Sequence, residues 1–339
     1  MRIRPALVLT ALLLSACSLG GGSPTPTAKP TPTPSGSPTP TSAPSSTPTP
    51  SALAACRLPV ASGDAPTDGN PAHGAAGHGG FVQFPAATFT ADPASQGTYD
   101  RAHSKWLPVS RAAVSPDGEH YAYTANQPAT GPVAGSIHVV DVATGTERSI
   151  PVPAPSNVLS WESEGIYVVR VIPSSGAPPQ GLVLVNPTAS TFRQVSADGI
   201  WTQIVGGKAW GADLDAGIAP PAGGGPGAAN RVRQLDLATG AASTFASYPG
   251  ENVSVLGGGG PVPLLAHTTA TTYSVVATGG ALFSGAIVNS NPTFPLVVDG
   301  TVTWFSSFSG AVWRSDSGGP IHQVATTPLT ASMVAGACR

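Results

Sequence analysis

From Phe81 to the C-terminus the chain runs as short apolar stretches rich in Val, Ile, Thr, Phe and Trp, separated by Gly, Asp, Asn and Pro. Such stretches predict strands joined by tight turns. One strand–turn–strand unit recurs: Ile137-His138-Val139-Val140-Asp141-Val142-Ala143-Thr144-Gly145 returns as Val232-Arg233-Gln234-Leu235-Asp236-Leu237-Ala238-Thr239-Gly240. In both, the Asp carboxylate can accept backbone N–H groups of the turn and the Gly supplies positive φ. Degenerate copies stand at Leu184-Val185-Asn186-Pro187, Val275-Val276-Ala277-Thr278-Gly279 and Val312-Trp313-Arg314-Ser315-Asp316. A second turn precedes each unit. Ser115-Pro116-Asp117-Gly118 leads to Tyr121, Glu162-Ser163-Glu164-Gly165 to Ile166, Val205-Gly206-Gly207-Lys208 to Ala209, the glycine run 257–260 to Pro261, and Val298-Asp299-Gly300 to Val302.

Two hairpin turns in each period of about forty to fifty residues imply four strands per period, the repeat of a propeller blade. Five complete blades run from about Arg111 to Thr326. Ala331–Ala335 supplies one strand of a sixth. Phe81–Phe84, Thr88–Thr90 and Ser104–Leu107 are expected to supply the other three, closing the ring and removing free sheet edges. The predicted fold is therefore all-β: a six-bladed β-propeller of four-stranded antiparallel blades, the sixth closed by both termini. On the Ser115–Tyr123 stretch and the two Asp-x-x-Thr-Gly turns, the chain resembles the TolB-like and WD-repeat-like propellers of bacterial exported proteins. The Asp and Gly positions form turns in that family, so the resemblance implies no catalytic residue and no cofactor.

Composition separates a leader from this domain. Only 9% of the 339 residues are charged, and the stretch between Cys17 and Cys56 is dominated by Pro, Thr and Ser. Arg2 and Arg4 followed by the short apolar stretch Ala6–Ala16 read as a signal peptide, residues 1–16, too short to span a bilayer permanently. Leu14-Ser15-Ala16-Cys17 resembles the bacterial lipobox, which implies lipidation of Cys17 and anchorage at roughly 0.8 kcal/mol per buried CH₂. Residues 17–55 are then a Pro/Thr/Ser-rich tether with a reach on the order of 100 Å as polyproline II, and residues 56–339 are the propeller domain. A membrane partner through the lipid follows, with the protein exported to the outer side of the cytoplasmic membrane or the cell surface. A net charge of −2 argues against nucleic acid.

With Cys17 lipidated, Cys56 and Cys338 remain, near the two ends of the folded region in an oxidising compartment, and are expected to form a disulfide. Asp316-Ser317-Gly318-Gly319-Pro320 copies part of a serine-protease signature but lacks the histidine and aspartate contexts that chemistry needs, and it falls on a predicted hairpin turn. His73 and His78 have no carboxylate or Cys at ligand spacing except Asp64 or Asp68, so no metal site is expected.

Loop length singles out one face. Asn126–Gly135, Pro173–Gln180 and Asp213–Asn230 are long connections between the second and third strands of blades one to three, and inter-blade segments emerge beside them. Trp201, Tyr248, Asp213, Asp215, Asp198, Glu251 and Asn252 fall there as a candidate binding face. The domain is expected to be a monomeric, non-enzymatic binding or scaffold module for an envelope protein, peptide or glycan. The alternatives are an extracytoplasmic hydrolase or lyase with its site at the central channel, and an assembly partner in the envelope.

Overall fold

The computed structural model describes residues 55–62, 78–126, 135–170, 181–221, 227–258, 260–292 and 296–338. The signal stretch, Cys17 and the tether lie outside them, as do Asp64, Asp68, His73 and the connections 127–134, 171–180 and 222–226. Among the described residues every regular element is a strand except one 3-10 turn, Arg111–Ala113.

The first sheet begins with β1 (Cys56–Ser62), β2 (Gly79–Phe84) and β3 (Thr88–Asp92). A separate hairpin, β4 (Thr98–Asp100) and β5 (Lys105–Leu107), follows. Next comes a three-stranded sheet of β6 (His120–Asn126), β7 (Gly135–Asp141) and β8 (Glu147–Val152). Three four-stranded meanders succeed it: β9 (Ser156–Glu162) to β12 (Thr191–Ser196), β13 (Trp201–Val205) to β16 (Ala242–Ser247), and β17 (Asn252–Gly257) to β20 (Gly280–Ala286). A last meander runs from β21 (Val297–Asp299) to β24 (His322–Thr326), after which β25 (Ser332–Val334) returns to pair with β1. All pairings are antiparallel, and the first sheet has the order β25-β1-β2-β3.

The core is a series of apolar layers, each between two successive sheets. Ile137 and Ile150 meet Ile166 and Val185; Tyr167 and Leu182 meet Trp201 and Leu235; Trp210 and Val232 meet Val253 and Leu265. Tyr273 and Val275 then meet Phe305 and Ile321, and Trp304 and Val312 meet Leu58 and Val82. The β4–β5 hairpin fills the remaining gap. Trp106 packs on Phe81 of β2 on one side, and Leu107 joins the layer containing Val142 on the other. Because side chains alternate across a strand, a sheet packed on both faces needs apolar residues at consecutive positions. The strand β10 (Gly165–Arg170) shows this directly: Ile166 and Val168 enter one layer, Tyr167 and Val169 the next. Outer strands such as β12 and β16 are largely exposed and correspondingly polar.

The repeated turns form as their chemistry dictates. Asp141 Oδ1 accepts hydrogen bonds from Thr144 N at 2.7 Å and Thr144 Oγ1 at 2.8 Å, and Gly145 takes φ 72°. Asp236, Thr239 and Gly240 repeat this with 2.8 Å, 2.9 Å and φ 74°. In the degenerate copy Asn186 Oδ1 takes the aspartate's place, accepting from Thr188 N and Ala189 N at 2.9 Å each. Asp316–Pro320 falls between β23 (Ala311–Asp316) and β24, with Ser317 N bonded to Thr301 O at 2.7 Å.

Three expectations are corrected. Ser104–Leu107 does not enter the terminal sheet; the strand there is β1, and Lys105–Leu107 belongs to the separate hairpin. β1 escapes a pattern reading because Pro59 sits in it. The proline is tolerated at the end of the β25 ladder: its carbonyl accepts Ala335 N at 2.8 Å, and the Ala335 carbonyl facing its missing N–H accepts Tyr99 N at 2.8 Å instead. The β6–β8 sheet has three strands, and its inner position is held by the 3-10 turn and a single bridge, Val114 to Tyr121. After the glycine run, β18 (Leu264–Thr268) starts three residues beyond Pro261.

Cys56 and Cys338 are bonded across the closure, with Cα atoms 5.5 Å apart. No helix among the described residues is long and apolar enough to cross a membrane.

Candidate functional site

The register puts the end of β10 and the start of β11 (Leu182–Asn186), and the connections β14–β15, β12–β13 and β16–β17, at the same ends of their sheets, opposite the Asp/Gly turns. Here β14 is Lys208–Asp213 and β15 is Arg231–Asp236. All seven residues singled out on the loop face lie at this end, and the fold gathers them into two adjoining groups.

In the first group, Arg231 forks onto Asp213, with Nε to Oδ1 at 2.7 Å and Nη2 to Oδ2 at 2.9 Å, and reaches Asp215 Oδ2 through Nη1 at 3.0 Å. Arg233 Nη1 lies 3.0 Å from Asp198 Oδ2 and 3.6 Å from Asp213 Oδ2. Three carboxylates against two guanidinium groups leave one negative charge in excess. The hydrogen bonds from Arg231 to Asp213 hold its guanidinium further toward the charged form. Arg231 and Arg233 stand two apart on β15 and therefore on one side of the sheet. That Arg-x-Arg spacing, directly after a loop bearing two aspartates, was the signal for the pairing that the sequence reading did not use.

Trp201 was expected to offer an aromatic surface, and it does not. Its indole is 1% exposed, packed between Tyr167 and Leu235, with the Arg233 guanidinium 5.9 Å from its ring centre. The position at the start of a strand looked like a loop residue, but the inward half of the β alternation puts it in the core.

In the second group, Tyr248 meets His267 edge-on at 4.3 Å, and His267 Nδ1 lies 2.7 Å from Glu251 Oε2. Burial pushes the Tyr248 hydroxyl pKa up, with Glu251 adding to the shift. Asn252 does not face outward as a free amide: its Oδ1 accepts Ala229 N at 2.9 Å. His267 was not singled out from the sequence, where nothing marked it among scattered histidines.

The described parts of the loop between β14 and β15, residues 214–221 and 227–230, are built into the scaffold rather than extended from it. Asn230 is fully buried; its Oδ1 accepts Asp215 N at 2.7 Å and its Nδ2 donates to Asp215 O and Ala219 O at 3.2 Å each. Tyr248 N bonds Asn230 O at 2.7 Å and Gly250 N bonds Ala219 O at 3.0 Å. The loop is thereby locked to the next inter-sheet segment.

Three buried polar atoms at this same end make no hydrogen bond to the described residues: Asn157 Oδ1 on β9, Trp201 Nε1 on β13 and His267 Nε2 on β18. Buried groups of this kind are nearly always paired. Asn157 Oδ1 is an acceptor, Trp201 Nε1 a donor, and His267 Nε2 one or the other according to the proton it carries.

The turn face is not featureless. A hollow of about 400 Å³ there is lined by Asp117, His120, Arg148, Trp161 and Glu162. No group of three or more His, Cys, Asp or Glu side chains able to hold a metal ion occurs among the described residues.

No protein-family model matches the chain, and no curated protein matches it. Among solved structures it is similar to the β-propeller domain of the Trilobed protease from Pyrococcus furiosus, at 12% identity, with 63% of this chain and 70% of that one covered and a TM-score of 0.42. It is also similar to TolB from Acinetobacter baumannii, at 11% identity, 77% and 79% coverage and TM-score 0.29. BamB from Moraxella catarrhalis matches at 12% identity, 81% and 92% coverage and TM-score 0.34. None of these assigns a role to a residue of this chain.

Proposed function

We propose that this chain is an exported lipoprotein, anchored through Cys17, whose residues 56–339 form a closed six-bladed propeller acting as a monomeric, non-enzymatic binding or scaffold module on its loop face. Six blades are supported by the five four-stranded sheets, the β6–β8 sheet with its bridged inner segment, and the unbroken succession of apolar layers. In this reading the β4–β5 hairpin is a wedge between the first and last blades, not a seventh blade.

The observation that carries the binding reading is that Asn157 Oδ1, Trp201 Nε1 and His267 Nε2, each buried without a partner among the described residues, lie at the same ends of three successive sheets. A polar ligand with both donors and acceptors, a glycan or an extended peptide, matches that set. The first strand begins at the opposite end, where Cys56 pairs with Phe84 next to the β2–β3 turn.

A thermal-shift screen of the purified protein against envelope glycans and peptides tests the reading, since a ligand of the native state raises the melting temperature. The expected result is a shift that Asn157→Ala or His267→Ala reduces and Arg148→Ala on the turn face does not. A shift removed only by Arg148→Ala would move the site to the opposite face.

A further inference from the structure

Apart from the two groups already described, one cluster has the arrangement of an activated nucleophile. On β7, Ile137 and Val139 point into the apolar layer shared with the next sheet, so strand alternation turns Ser136 and His138 together to the other side. β8 brings Glu147 beside them. His138 Nδ1 lies 2.5 Å from Glu147 Oε1, and His138 Nε2 lies 2.8 Å from Ser136 Oγ. From β6, Tyr123 donates to Glu147 Oε2 at 2.9 Å, and its ring stacks on the imidazole with centroids 4.8 Å apart and planes 13° apart.

The hydrogen bonds have a direction. Those from His138 and then Tyr123 hold the Glu147 carboxyl below its ordinary pKa, so it is ionised and only accepts. Nδ1 therefore donates, and an imidazole carrying that one proton has its lone pair on Nε2, where the Ser136 hydroxyl can donate. A nucleophile within reach of a base, with the base oriented by a carboxylate, is the constellation that generates an alkoxide-like serine on unrelated folds. Tyr123 adds a second constraint, fixing both the carboxylate and the plane of the ring. His138 is partly open to solvent and Glu147 more so, at 18% and 42% of the side chain.

We infer that Ser136 is an activated nucleophile with His138 as its general base and Glu147 and Tyr123 as positioning residues, able to accept the acyl group of a small carboxylic ester. In that step Ser136 Oγ bonds to the carbonyl carbon while its proton passes to His138 Nε2. The carbon–oxygen bond to the leaving alcohol breaks, and that oxygen takes the proton from Nε2. Water repeats the sequence to release the acid and restore the serine. Ser136 follows the β6–β7 connection, but the cluster shares no residue with the Asp/Arg network or the His267 group, so its failure would leave the binding reading untouched and its success would replace only the non-enzymatic part of that reading.

A fluorophosphonate ester probes it directly: Ser136 Oγ bonds to phosphorus, fluoride leaves, and the hydroxyl proton passes to His138. The full chain is incubated with the probe, digested, and the adduct located by mass spectrometry, with exposed serines such as Ser163 as internal references. The expected result is an adduct at Ser136 that is absent in Ser136→Ala and forms at least tenfold more slowly in Glu147→Gln. Glu147 is a half-exposed side chain at the blade edge, so this variant should keep the wild-type melting temperature, measured alongside. No adduct at Ser136, labelling spread evenly over exposed serines, or an unchanged rate in the folded Glu147→Gln variant would each overturn the assignment.

Discussion

Replacing Asn230 tests whether the loop between β14 and β15 is a structural part of the scaffold. Asn230→Ala removes three side-chain hydrogen bonds from a fully buried position. Their losses are unequal. Ala219 O keeps Gly250 N as a partner at 3.0 Å, and Asp215 O keeps a long contact with Ile218 N at 3.4 Å, whereas Asp215 N loses its acceptor outright. One orphaned donor costs roughly 1–3 kcal/mol and two weakened acceptors add less, so the variant should lose about 2–3 kcal/mol. For a domain of this size that is a fall in Tm of roughly 5–10 °C. Asn230→Asp sharpens the test. It retains the acceptor for Asp215 N, but turns an oxygen toward two carbonyl oxygens and adds a buried carboxylate to a cluster already one negative charge in excess. Its loss should exceed that of the alanine variant, reaching at least about 4 kcal/mol. Urea unfolding followed by tryptophan fluorescence at neutral pH measures both. If Asn230→Ala loses less than about 0.5 kcal/mol, or if Asn230→Asp is the milder change, the loop is not held by this side chain.

Replacing Cys56 and Cys338 together by Ser should lower Tm by roughly 10 °C or more, since a bridge spanning 282 residues constrains the unfolded chain by up to about 5 kcal/mol. An unchanged Tm would mean that the β1–β25 ladder closes the domain unaided. Asp117, Asp141 and Asp236 all have lowered pKa values, through a hydrogen bond from Ser115 in the first case and from Thr144 N and Thr239 N in the others. Their stabilisation is therefore present above the unfolded-state carboxylate pKa and lost as pH falls through the lower folded-state values. Stability measured by urea titration should decline below about pH 4, and Asn at all three positions should flatten that decline; an equally steep acid limb would place its origin elsewhere. Cys17→Ser should abolish incorporation of labelled palmitate, and persistent labelling would refute the lipidation of that residue.

The repeat, the strand class and the disulfide were legible in the sequence because each rests on local chemistry. Asp-x-x-Thr-Gly specifies its turn wherever it occurs, and consecutive apolar residues such as Ile166–Val169 announce a sheet covered on both faces. Two cysteines at the ends of a domain read from its leader as exported have few other fates. The terminal sheet was legible in outline only. Arg57 and Pro59 hid β1, since the ladder end that makes Pro59 harmless exists only once β25 has returned to pair there.

The candidate face was legible as a location but not as a site. Loop lengths and chain order were enough to put Asp198, Asp213, Asp215, Tyr248, Glu251 and Asn252 at one end of the domain. Whether each is free or committed depends on partners distant in sequence, which no local pattern records. Arg231 pairs Asp213 and Asp215 across a loop, Asn252 is consumed by Ala229, and Trp201 is turned inward by strand alternation. The same holds for Ser136, His138 and Glu147: three ordinary residues on two strands become a directional hydrogen-bond chain only because antiparallel pairing sets β8 beside β7. Local composition determined the elements and their repeat; long-range packing decided which side chains meet, because contact between strands is fixed by register and not by spacing along the chain.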